Sequence, residues 1–84
     1  MKYVKVSGKT PDNRHYTDYL LFEDDCPKDI ITLGAADCAY EWALTLYRKD
    51  EVPYSTVEYI GETLERFSWD FISKDEFESS IWKT

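Results

Sequence analysis

The side chains whose ordinary ionisation suits them to proton shuttling or thiolate chemistry near neutrality are few: one histidine, His15, and two cysteines, Cys26 and Cys38. A histidine shuttles protons when an acid or a thiol lies within hydrogen-bond reach, and the candidates for that role are Asp18 and Cys26. Nothing in the local spacing arranges either contact, so His15 reads as a surface residue of a hairpin. A nucleophilic cysteine needs a base at its side, whereas Cys26 stands among Asp24, Asp25 and Asp29, whose negative charge disfavours a reactive thiolate. The two thiols, twelve positions apart, also lack the Cys-x-x-Cys step of a zinc site. In a reducing compartment they read as small hydrophobes, not as a disulfide.

The acids Asp24, Asp25, Asp29 and Asp37 raise the question of a hard cation. An EF-hand loop wants acids at alternating positions, a central glycine and a closing glutamate, and this segment places Cys26, Pro27 and Ile30 there. It reads as a solvated acidic loop at a helix start. Gly8, Gly34 and Gly61 are each isolated, so no glycine-rich phosphate loop is present. The expectation is a protein without catalytic residues, metal or cofactor.

Charge is the more informative feature. The chain carries 17 acids against 10 bases, a net charge of −7. Residues 1–22 hold +2 and residues 23–84 hold −9, so the two regions differ in sign. Glu58, Glu62 and Glu65 step by four and three, which puts three carboxylates on one side of a helix, and Asp37 and Glu41 repeat the four-residue step. Such rows are commonly a solvated face, and the functional alternative is a set of spaced anions offered to a basic groove. Tyr40 beside Glu41 and Tyr59 beside Glu58 set rings next to acids, a combination that meets arginine through stacking and charge.

The elements that must position these residues follow from periodicity. Lys2 to Ser7 alternates with Val4 and Val6 on one face, Gly8 to Asn13 concentrates turn formers, and Arg14 to Glu23 resumes with Tyr16, Leu20 and Phe22 at even spacing. This is an antiparallel hairpin. Tyr19 and Leu21 leave its second face apolar as well, so that face is either covered or meets a partner, and self-pairing into a homodimer is one way to meet it. Ile31, Ala35, Cys38, Trp42 and Leu46 share a helical stripe, and Ala35 to Arg48 reads as helix. Asp29 to Leu33 stays open between the first turns of that helix and a short third strand, because it is β-branched and Gly34 follows.

After a polar connection at 49–53, Ser55 to Glu58 matches a capping box, and Val57, Ile60, Leu64, Phe67 and Phe71 continue a helical stripe. Ser73 to Glu76 repeats the box before a short last helix carrying Phe77 and Ile81. Phe22, Trp42, Phe67, Phe71 and Phe77 fall at expected core positions, leaving Tyr3, Tyr19, Tyr40, Tyr47, Tyr54 and Tyr59 partly exposed. The fold class is α+β: an N-terminal antiparallel hairpin packed on two to three helices, in one domain spanning residues 1–84. No leader pattern and no apolar run long enough for a bilayer occurs, which points to a cytoplasmic protein without membrane contact.

In size, composition and charge the chain resembles phage-encoded inhibitors such as anti-CRISPR and anti-restriction DNA mimics. The resemblance rests on no shared motif, so it assigns no residue. It implies a non-enzymatic protein that occupies a basic surface of a nucleic-acid-handling protein and does not bind nucleic acid itself. Asp37, Tyr40, Glu41, Glu58, Tyr59, Glu62 and Glu65 are the candidate contacts. The rival reading binds nucleic acid or a nucleotide through the hairpin, with Tyr3 and Tyr19 as stacking rings and Lys5, Lys9 and Arg14 on phosphates.

Overall fold

The computed structural model describes residues 1–49 and 53–81, so part of the connection at 49–53 lies outside the described residues. Among the described residues the elements are β1 (Lys2–Lys9), β2 (His15–Phe22), α1 (Lys28–Lys49), α2 (Thr56–Leu64), β3 (Ser68–Ile72) and α3 (Lys74–Ile81). The sheet order is β2-β1-β3, antiparallel throughout, which makes this an α+β fold. The β1–β2 turn closes with Thr10 N donating to Arg14 O at 2.9 Å and Asn13 N to Thr10 O at 3.0 Å. Asn13 takes the left-handed conformation (φ 65°), which asparagine tolerates better than most side chains.

Residues directly opposite one another in a ladder share a face. Val4 is opposite Leu20 and Phe71, and Val6 is opposite Asp18 and Trp69, so these belong to the face that α1 covers. The helix meets it through Ile31, Ala35, Ala39 and Ala43, spaced by four and fully buried. Asp29 to Leu33 is therefore the start of α1 and not a strand. Pro27 O accepts from Ile30 N and Ile31 N at 3.1 and 3.2 Å, and Ile31 heads the buried stripe. Gly34 is a packing residue here: a Cβ on it would lie 2.9 Å from Phe22 Cζ.

The long second helix read from Val57 to Phe71 is corrected. Helix α2 stops at Leu64, and Ser68–Ile72 forms β3 on the free edge of β1. Bare backbone donors and acceptors on that edge need partners, and Trp69, Phe71 and Ile72 have the side chains that suit a sheet. Helix α2 is also turned from the expected stripe. Tyr59, Ile60 and Thr63 face inward, while Val57 is 82% exposed. Two expected core rings lie at the surface, Trp42 at 39% and Phe71 at 47% exposure. Ser73 Oγ accepts from Glu76 N at 3.1 Å and starts α3, whose Phe77 packs on Tyr3 and Tyr19 with ring centroids 5.1 and 6.3 Å apart. This covers part of the hairpin's second apolar face and leaves Leu21 exposed.

Candidate functional site: an acidic cleft between β2 and α1

Along β2, Tyr16, Asp18, Leu20 and Phe22 point to the side of α1, so the period of two that makes a core face also carries one acid onto it. Opposite, α1 presents Asp37, Cys38, Glu41 and Trp42. Between them is a cavity of about 440 Å³ with Asp18, Asp37 and Glu41 in its wall and, among the described residues, no lysine or arginine. The indole of Trp42 lies against the Tyr16 ring, 5.8 Å between centroids and tilted by 41°. Trp42 is thus a wall residue of the cleft, held by an aromatic neighbour.

Burial and charge act together on the groups at the base. Burial pushes the Cys38 thiol up to about 11, with Asp18 and Asp37 adding to the effect. Burial likewise raises Tyr16 to about 12, with Cys38 contributing. Both stay protonated near neutrality. The Tyr16 hydroxyl is buried without a hydrogen-bond partner among the described residues. This environment suppresses nucleophiles and leaves the carboxylates as the reactive feature, so what the cleft can do is attract a cation. A cation over a tryptophan ring gains about 0.5–1 kcal/mol when exposed and about 2 when desolvated, and an exposed ion pair adds up to ~1 kcal/mol.

The expected contact residues divide into separate places. Asp37 and Glu41 line the cleft. Tyr40 is exposed on α1 but lines no part of it. Glu58 and Glu62 lie on α2 and Glu65 caps its C-terminal end, and none of the three lines the cleft. Glu58 is partly engaged, since Ser55 Oγ donates to its Oε1 at 3.0 Å and accepts from its backbone N at 3.2 Å. Tyr59 is corrected from contact residue to core residue: its ring is fully buried between Tyr47 and Tyr54, at 5.9 and 6.0 Å. Its hydroxyl donates to Asp12 Oδ1 at 3.0 Å and ties α2 to the β1–β2 turn.

Asp18 and Trp42 are the site residues that pattern reading missed. Asp18 had a usable signal, because it interrupts the even apolar series Tyr16, Leu20, Phe22. His15 is on the opposite face of β2 from Asp18, so that acid–base pair does not form. Both cysteines are free thiols, and no group of three or more His, Cys, Asp or Glu able to hold a metal occurs among the described residues. No described helix is long and apolar enough to cross a membrane. No protein-family model matches the chain, and comparison with curated proteins and with solved structures finds no match.

Proposed function

We propose that this is a non-enzymatic interaction protein that binds a positively charged surface of a partner protein and blocks it by occupancy, with the β2–α1 cleft seating one cationic side chain. The observation that carries the reading is the cleft: three carboxylates and an accessible indole around one cavity, with no base lining it among the described residues. Arginine fits it better than lysine. A guanidinium is planar and weakly hydrated, can donate to several carboxylates at once, and stacks on an aromatic ring. The net charge of −7 and the α2 row then act at longer range, raising the rate of encounter with a basic groove. Nucleic-acid-handling proteins present such grooves, so inhibition in the manner of a DNA mimic is the form proposed.

The test is anisotropy of a labelled arginine-rich peptide at stepped ionic strength, against Asp37→Asn with Glu41→Gln and, separately, Glu58→Gln with Glu62→Gln and Glu65→Gln. The cleft pair is expected to weaken binding about tenfold, or 1.4 kcal/mol. The α2 triple is expected to weaken it less and mainly to flatten its salt dependence. Unchanged low-salt affinity in the cleft pair, or equal losses in both variants, would overturn the reading.

A further inference from the structure

The sheet face turned away from α1 carries a second and opposite arrangement. Its register sets Ser7 directly between Thr17 on β2 and Ser68 on β3. These three residues make a row of hydroxyls across the sheet, at the interstrand spacing of about 4.8 Å. One step further, Lys9 is opposite His15, and Arg66, two residues before the β1–β3 ladder begins at Ser68, comes to the same place. A group of basic side chains, His15, Lys9 and Arg66, therefore adjoins the row of hydroxyls. All six residues line one shallow cavity of about 310 Å³ with no acid in its lining among the described residues. That volume is at the lower end of small-ligand sites, about 300–1,000 Å³.

In a chain of net charge −7 this grouping is not what an even spread of charge produces. Among the described residues no ion pair engages Lys9, His15 or Arg66. The nearest acid on the same face along β3 is Asp70, two residues beyond Ser68, and it stands opposite Lys5. The other end of the face is closed by Phe77 against Tyr3 and Tyr19. Those two rings are packed against Phe77 of α3, and Arg14 is held by Asp12 at 3.2 Å. What remains is a compact cluster of cations and hydroxyl donors.

We infer that this cavity is a binding site for a phosphate monoester, with Lys9 and Arg66 supplying charge and Ser7, Thr17 and Ser68 donating hydrogen bonds to the phosphoryl oxygens. Arginine suits the role because its fork of donors matches two phosphoryl oxygens. The site is separate from the acidic cleft, so neither reading depends on the other.

The test is amide chemical-shift titration of the ¹⁵N-labelled protein with inorganic phosphate and with adenosine monophosphate, chloride compensating the ionic strength. Saturable shifts centred on Gly8, Thr17 and Ser68 are expected. A stronger response to the monophosphate assigns an ester, and an equal response assigns free phosphate as sufficient. Lys9→Gln and Arg66→Gln should each weaken half-saturation about fivefold, whereas Lys28→Gln, which removes an exposed base from α1, should leave it unchanged. Shifts that do not saturate, or an equal loss in Lys28→Gln, would overturn the proposal by showing only a response to net charge. A single-stranded oligonucleotide that binds this face when neither small anion does would overturn it in favour of a nucleic-acid surface.

Discussion

Replacing Tyr59 by phenylalanine keeps the buried ring and removes only the hydroxyl that joins α2 to the β1–β2 turn. That hydroxyl donates to Asp12 Oδ1 at 3.0 Å, across 47 residues of sequence. Asp12 also accepts from the Thr10 hydroxyl and pairs with Arg14 Nε at 3.2 Å. A hydrogen bond to a charged acceptor contributes about 1.5–3 kcal/mol. The Asp12 side chain is 21% exposed, so water can replace part of the lost partner, which puts the cost at the lower end, about 1.5 kcal/mol. For a domain of this size that lowers the melting temperature by roughly 6–12 °C. Burial opposes ionisation of Asp12, but the hydrogen bonds from Thr10 and Tyr59 and the charge of Arg14 outweigh it and hold the carboxyl below its ordinary value of 3.8. A depressed carboxyl stabilises the fold above the unfolded value and loses that contribution as pH falls through the folded one. Burial raises Tyr59 above its ordinary 10.0, a change that stabilises below pH 10 and is lost as pH rises through the folded value. Urea unfolding of the wild type, Tyr59→Phe, Asp12→Asn and the double variant should give a coupling of about 1 kcal/mol at pH 7 that shrinks below pH 4. An unchanged urea midpoint for Tyr59→Phe, or a coupling of zero at pH 7, would refute the account.

Two further outcomes follow from packing. Gly8→Ala should destabilise by about 1–3 kcal/mol in thermal melts, because the new Cβ would lie 2.6 Å from the Tyr16 hydroxyl and 2.8 Å from Tyr16 Cζ, on a ring too buried to move aside. Stability equal to wild type would mean that the ring is not held where the fold puts it. Cys38, with its thiol pushed up to about 11, should react with a thiol reagent at pH 8 at least about tenfold more slowly in the native protein than after unfolding. Equal rates would show that the base of the cleft is open to solvent and uncharged.

Local chemistry carried a good part of this fold. The hairpin followed from alternation and a turn rich in glycine, proline and asparagine. The Ser55 and Ser73 caps followed from side-chain geometry within a single turn, and the two helices begin where expected, although the first ends earlier. Asp37 and Glu41 on α1 and Glu58 and Glu62 on α2 also lie one turn apart as the spacing of four required, whereas Glu65 falls at the cap beyond α2.

Tertiary structure decided the rest, because it depended on which distant backbone was free to pair. Phe67 and Phe71 fit a helical step, yet Phe67, Trp69 and Phe71 fit a step of two equally well. Only the open edge of β1, sixty-odd residues earlier, selects the strand. The same distance dependence hid both candidate sites. Asp18 meets Asp37 and Glu41 only when α1 crosses the sheet, and Arg66 reaches the cavity of Lys9 and His15 only because the chain after α2 returns to pair with β1. Sequence determined which side chains each element would carry and the sign of their charge; the packing of one element on another determined which of those charges would share a cavity.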